Sequence, residues 1–260
     1  MDNKLEFFNN LFNLDNLHAL VTGGGSGIGQ EIALTLAKAG ATITLVGRQE
    51  DKLIATVNKL REISLKEHDY ISIDLSQLEF ISQMNKNNSI EKGIDIFIHC
   101  AGMNPRKPAL ETSSDDWNKT IQINLTASFE IAKRIVPHMK EKKWGRIINI
   151  ASLQAKKAFP NSIAYGVTKG AIPQFTRAMA VEWSQFGINC NAIAPGLFNT
   201  ELTESIFKDE NLVQRFADQT CVDRNGELTD IQGLILYLCS KSSDFLTGQT
   251  LFLDGGNTAK

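Results

Sequence analysis

The stretch Ala19-Leu20-Val21-Thr22-Gly23-Gly24-Gly25-Ser26-Gly27-Ile28-Gly29 decides the architecture. A short apolar strand runs into a loop with five glycines in seven positions. An apolar stripe at helical spacing follows (Ile28, Ile32, Ala33, Leu36, Ala37), and Gly40 ends it. Strand, glycine loop and helix in that order form the setting in which backbone N–H groups at a helix N-terminus hold a phosphate. Gly23, Gly27 and Gly29 are spaced Gly-x-x-x-Gly-x-Gly, not the commoner Gly-x-Gly-x-x-Gly. A merely flexible turn would not need so many glycines, each of which costs chain entropy on folding. Nucleotide binding is expected here, with Gly23, Ser26, Gly27, Ile28 and Gly29 as its residues.

Outward from this loop, strand-like and helix-like segments alternate. Strands are expected at Thr42–Val46, Tyr70–Ile73, Ile94–Ile98, Arg146–Ile150, Ile188–Ala194 and Thr250–Leu253. Helices are expected at Asp51–Arg61, around Leu78–Met84, from a cap at Ser114 or Asp115 towards Lys140, around Tyr165, and at Thr229–Cys239. Such alternation means an α/β fold, a doubly wound, mostly parallel sheet of about seven strands with helices on both faces. Residues 1–16 read as an N-terminal extension packed through Phe7, Phe8 and Phe12. Residues 17–260 read as a single domain, with a partly helical insertion at about 197–226.

Composition narrows the class. The chain is 42% hydrophobic and 22% charged with a net charge of −2, which gives no reason to expect nucleic acid or an anionic membrane as partner. Cys100, Cys190, Cys221 and Cys239 are far apart and read as reduced thiols. The four histidines have no ligand spacing, and no metal is implied. The segment from Met1 to Phe8 carries acids and no long apolar core, and no apolar run reaches the length of a membrane span. A cytoplasmic protein is expected.

Two local patterns carry chemistry. Tyr165 and Lys169 are four apart, on one helix face a turn from each other. A phenol titrates near ~10, and a neighbouring ammonium should lower that value towards one useful for acid–base work. Ser152, thirteen positions upstream of Tyr165, could hold a substrate oxygen against the same phenol. At the end of the second strand, where an NAD-selective site usually carries an acid, the chain has Gly47-Arg48. Arg48 could fork onto a 2′-phosphate, which favours NADP(H) and leaves NAD(H) possible. Stacking on adenine without selectivity is the alternative.

With these pieces in order, the chain resembles the short-chain dehydrogenase/reductase family from about residue 17 to 256, whose sheet is of the Rossmann type. The matching pieces are Thr22 to Gly29, Asp74, Ala101-Gly102, Asn124, Ser152, Tyr165-x-x-x-Lys169, Pro195-Gly196 with Thr200, and Asp254-Gly255-Gly256. The resemblance implies that Tyr165 donates or accepts the proton. It gives Lys169 the tasks of lowering the Tyr165 pKa and binding the nicotinamide ribose, and Ser152 that of positioning the carbonyl. Asn124 would complete a water-linked proton path, or simply bridge backbone groups. Asp74 with Leu75 would meet the adenine, Ala101-Gly102 the adenosine ribose, and Pro195, Gly196, Phe198 and Thr200 the nicotinamide and pyrophosphate. Two departures stand out: His99-Cys100 replaces the usual Asn-Asn before Ala101-Gly102, and Pro173 falls four residues after Lys169. The proline predicts a bend or water-filled gap just past the lysine.

Within the family the resemblance is greatest to sugar-acid dehydrogenases of the gluconate 5-dehydrogenase kind. Asn104-Pro105-Arg106-Lys107 places two cations by the expected mouth, with Gln154 and Asn161 near Ser152 and Tyr165. Arg106 would anchor a carboxylate. The rival is a 3-oxoacyl-[acyl-carrier-protein] reductase, docking an acidic carrier at Lys140, Lys142 and Lys143 and using an apolar groove of Phe159, Phe198 and Phe207. A non-catalytic NADP(H)-binding sensor, which would usually lack the tyrosine or lysine, is a third reading. A homotetramer (or dimer) is implied by the family, through helices bearing Trp117, Phe129, Phe175 and Trp183.

Overall fold

The computed structural model describes residues 3–260, so Met1 and Asp2 of the expected extension lie outside the described residues. Seven parallel strands form one sheet in the order β3-β2-β1-β4-β5-β6-β7. They are β1 (His18–Thr22), β2 (Thr42–Gly47), β3 (Asp69–Ser72), β4 (Ile96–His99), β5 (Gly145–Ile150), β6 (Ile188–Pro195) and β7 (Thr250–Leu253). Strand order reverses between β1 and β4, and in open parallel sheets the crevice beyond the carboxyl ends of those strands is where ligands bind.

Both faces of the sheet are buried, and neighbouring residues along a strand feed opposite cores. Val21, Ile43, Leu45, Ile96, Ile98, Ile148 and Ile150 pack with α2 (Gly27–Lys38) and α3 (Glu50–Ile63). Leu20, Val46, Phe97, Ile147 and Cys190 pack on the other side with Phe80, Met84, Ile131 and Met179. This two-sided burial explains why the strands read as continuous Ile/Val/Leu runs. α2 ends at Gly40, whose φ of +101° and closeness to the Asp15 carboxylate (2.5 Å from any added Cβ) admit only glycine.

The remaining helices are α1 (Asn3–Phe12), α4 (Phe80–Met84), α5 (Asn88–Glu91), α6 (Ser114–Ile121), α7 (Ala127–Lys142), α8 (Ile163–Trp183), α9 (Glu204–Phe207), α10 (Glu210–Asp218) and α11 (Gln232–Cys239). α9 and α10 lie in the expected 197–226 insertion. Phe7 and Phe8 of α1 are largely exposed and lie edge to face on each other, so they do not pack the extension down as expected. Leu14 is the residue buried in the core, and the Ser242 hydroxyl donates to the Leu11 carbonyl at 3.1 Å.

One local expectation fails for an identifiable reason. The cap of α6 is Ser113, not Ser114 or Asp115; it forms a capping box with Asp116. α8 runs from Ile163 to Trp183 with Pro173 inside it, so the proline does not end the helix past Lys169. Burial of Ile172, Thr176, Met179 and Ala180 holds the 21-residue helix together despite the missing donor. The interruption occurs instead in the preceding helix, where Gln122–Thr126 form a π turn between α6 and α7. Pro137, inside α7, is likewise accommodated.

Candidate active site

Tyr165 and Lys169 lie a turn apart on α8 at the carboxyl end of the sheet, with the ammonium 5.5 Å from the centre of the Tyr165 ring. Both are buried. Ser152 opens the loop after β5, its Oγ accepting the Gln154 N–H at 3.2 Å. Burial raises the Tyr165 phenol above its usual value of 10, while a hydrogen bond with Ser152 and the charge of Arg106 pull it down. The ammonium beside it is itself desolvated: burial brings Lys169 down to about 8, and its Nζ donates to the Ile150 carbonyl at 2.7 Å.

Asn124 is fully buried inside the π turn. Its Nδ2 donates to the Met103 carbonyl (3.1 Å) and to Thr168 Oγ1 (3.0 Å), and its Oδ1 accepts the Met103 N–H at 2.8 Å. Both amide hydrogens are thus spent on a clasp between the loop after β4 and α8. The bridging alternative weighed for this residue is the one its side chain makes.

Around this centre the other candidates fall as follows. Gly102 faces the pair, since a Cβ there would meet Asn124 Oδ1 at 3.4 Å and Lys169 Nζ at 3.7 Å. Ala101 donates its N–H to Thr22 Oγ1 at 3.1 Å. Pro195 ends β6 and Gly196 donates to the Leu253 carbonyl at 2.9 Å. Phe198 is buried and pairs with Gly226 in a β-bridge. Thr200 rests on the glycine loop, 3.1 Å from where a Gly27 Cβ would sit. Gln154 lies along α8, its Oε1 2.9 Å from the position of a Gly166 Cβ. Asn161 is exposed with φ +56° and serves as the turn residue before α8.

Of the two cations at the mouth, Lys107 is paired with Asp116 at 2.7 Å. Arg106 is exposed, donates to the Leu202 carbonyl at 3.3 Å, and reaches Tyr165 electrostatically. The insertion is held down on both flanks. Lys52 of α3 pairs with Glu201 at 2.5 Å, and Phe159 lies 6.2 Å ring to ring from Phe216 of α10.

The residues present fit a dinucleotide. Ser26 caps α2 without a side-chain hydrogen bond, leaving its hydroxyl and the first-turn N–H groups of Gly27, Ile28 and Gly29 directed at the loop. Gly29 must be glycine because a Cβ would run into the Gly23 carbonyl. Arg48, at the end of β2, is exposed and has no hydrogen bond or ion pair among the described residues. It lies near Asp74, whose carboxyl burial would raise; Ser76 donors and the Arg48 charge outweigh this and bring it below its usual value. Asp74 Oδ1 accepts the Ser76 N–H at 2.9 Å, and the Leu75 side chain packs in the core.

A family model described as enoyl-(acyl carrier protein) reductase matches residues 23–258. The gluconate 5-dehydrogenase of Gluconobacter oxydans is 34% identical over 248 residues, covering 95% of this chain and 97% of that protein. A crystal structure of a gluconate 5-dehydrogenase from Burkholderia cenocepacia, in complex with NADP and tartrate, superposes with a TM-score of 0.90 at 34% identity and covers 97% of this chain and 99% of its own. The chain belongs to the short-chain dehydrogenase/reductase family. The 3-oxoacyl-[acyl-carrier-protein] reductase of Aquifex aeolicus is also similar, at 29% identity over 92% of this chain and 96% of that protein.

For a short-chain dehydrogenase/reductase, several of the groups that shape this site were not evident beforehand. Thr22 Oγ1, Thr168 Oγ1 and the Lys52–Glu201 pair join segments far apart in sequence, and no spacing rule points to them. The π turn leaves no mark in an apolar periodicity that continues on both sides of it.

Proposed function

We propose that the protein is an NADP(H)-using dehydrogenase interconverting a secondary alcohol and a ketone on a sugar acid, of the gluconate 5-dehydrogenase kind. The observation that carries this reading is the buried Tyr165–Lys169 pair, ammonium 5.5 Å from the ring centre, in a chain 34% identical along nearly its whole length to a gluconate 5-dehydrogenase. Ser152 and Tyr165 hold one substrate oxygen between them. The Tyr165 proton passes to that oxygen as the ketone becomes an alcohol and returns to Tyr165 in the reverse direction. A bound nicotinamide supplies or takes up the hydride. Arg106 faces the far end of a small substrate, where its guanidinium meets a carboxylate. That a relative was crystallised with tartrate, a hydroxydicarboxylate, agrees with this assignment.

The carrier-protein alternative has less support. Lys140 lies 4.2 Å from the centre of the Phe186 ring and Lys142 is paired with the buried Asp95 at 2.6 Å, so two of the three lysines are engaged within the chain. The insertion, fastened at Glu201 and Phe216, suits a small substrate better than an open acyl groove. Assembly as a cytoplasmic homotetramer completes the reading. Phe129 on α7 and Ile163 and Val167 on α8 are exposed apolar residues, as are Phe245 before β7 and Phe252 within it. Such surfaces are what a dimer of dimers covers.

Gluconate oxidation with NADP⁺, set beside acetoacetyl thioester reduction with NADPH, tests the substrate class; turnover of the thioester alone overturns it. Arg106→Ala should raise KM for gluconate by about 10- to 100-fold, the weight of one charge-assisted hydrogen bond, with kcat nearly unchanged. An uncharged polyol should show no such change. Arg48→Ala should raise KM for NADP⁺ by about the same factor and leave that for NAD⁺ near its starting value. Equal effects on both coenzymes would mean that Arg48 only stacks.

A further inference from the structure

His99, the last residue of β4, is 1% exposed and lies at the point where strand order reverses. It is in register with Thr22, the last residue of β1. Thr22 Oγ1 accepts the N–H groups of Cys100 and Ala101, each at 3.1 Å. With both lone pairs engaged, the hydroxyl hydrogen is directed at its third neighbour, His99 Nδ1, 3.0 Å away. That makes Nδ1 an acceptor, so Nε2 carries the ring hydrogen and donates it to the Ile123 carbonyl at 2.9 Å. Burial, aided by the nearby Lys169 charge, brings the ring down to about 3 and keeps it neutral.

Ile123 belongs to the π turn. The Ala127 N–H reaches back five residues to the Gln122 carbonyl, whereas in a regular α-helix it would reach Ile123. The wide turn therefore takes from Ile123 the donor that helical geometry would give it, and a buried carbonyl without a donor is costly. His99 supplies one. The next residue is Asn124, whose amide clasps Met103 and Thr168, and Thr168 in turn donates to the Tyr165 carbonyl at 2.7 Å.

We propose that His99 is a positioning residue: it holds the π turn open, and through Asn124 it sets the loop after β4 and the helix bearing Tyr165 and Lys169. Because Thr22 also opens the glycine loop, the same chain of hydrogen bonds joins the coenzyme cradle to the proton-transfer centre. The inference rests on the reading of Tyr165, Lys169 and Asn124 given above.

The test compares His99→Gln, His99→Leu and Tyr165→Phe in the full-length protein, with gluconate and NADP⁺. Amide hydrogen exchange is followed on the coenzyme-free chain. Glutamine can place an amide nitrogen near the position of Nε2, whereas leucine offers no donor. His99→Leu should lose about thirtyfold or more in kcat, as misplacement of a reacting group by a fraction of an ångström does. Its KM for NADP⁺ should stay within about threefold, and exchange across residues 122–128 should quicken. His99→Gln should keep kcat within about threefold of the parent and keep the protection. Unchanged kcat in His99→Leu, equal losses in both variants, or a fall in thermal stability with kcat per folded site intact would each overturn the positioning role. Parental turnover in Tyr165→Phe would instead remove the site reading, and the positioning role with it. Should His99→Leu fail to fold, Thr22→Val, which frees the ring to reverse its tautomer, should likewise lower kcat and quicken exchange across residues 122–128, and parental values of both would overturn the role.

Discussion

Replacing Tyr165 with phenylalanine is expected to cut turnover about a thousandfold, within the range that a positioned acid–base group contributes. The change removes one hydroxyl from a buried ring, so the fold and the coenzyme site should survive. Coenzyme affinity, read by fluorescence quenching, should therefore stay near the parent value while kcat collapses. Loss of less than about tenfold would mean that another group moves the proton. The parent enzyme's pH dependence should carry the same signature. Burial raises this phenol above 10, so it is protonated throughout the neutral range and ready to donate. Ketone reduction should accordingly be flat from about pH 6 to 8, while alcohol oxidation, which needs the phenolate, climbs as pH rises.

Lys169→Met should abolish most turnover and yet relieve the fold of a burden, and the sign can be worked out. The lysine titrates at about 8 in the folded chain against its ordinary value of 10.5, because burial disfavours the ammonium. Between those two values the unfolded chain binds a proton that the folded chain does not, so this group makes stability rise with pH across the window. Below about pH 8 the full penalty is present, partly offset by the bond to the Ile150 carbonyl. The stability of the methionine variant relative to the parent should then fall by about 2 kcal/mol as pH is raised from about 8 to 10. Urea unfolding of the coenzyme-free proteins at several pH values measures this difference. A gap that does not change with pH would mean that Lys169 stays protonated in the folded chain across the range, as a lysine reached by water does. A side chain that destabilises its own surroundings is a common mark of a functional group.

Much of this was legible in the chain, and the reasons are local. The β-branched and apolar runs at Thr42–Gly47 and Gly145–Ile150 could be nothing but buried strands, and the glycine loop between β1 and α2 announces its own geometry. Tyr165 and Lys169 needed only helical spacing to be placed together. What did not show were effects decided by the surroundings of a group. Spacing alone put an ammonium beside a phenol; it could not say that the ammonium would be bonded to Ile150 and brought down to about 8 by burial. Nor could it say that Lys107 would be taken by Asp116 while Arg106 was left facing the site. Pro173 pointed to a bend or gap because a missing donor is visible in a sequence; the packing that carries the helix on past it is not.

Each residue of a regular helix advances the chain by about 100°. The wide turn at Gln122–Thr126 spends one extra residue without adding a full revolution, so α6 and α7 follow each other with their angular phases offset. The offset lets two demands be met independently: Ile131, Ile135 and Met139 point into the sheet, while Asn124 points at α8. Deleting one residue here would shift the register between the face carrying Asn124 and the face carrying Ile131, Ile135 and Met139 by about 100°. Chain length in this short interval is thus as constrained as side-chain identity, and length variation among similar proteins should be confined to the loops on either side.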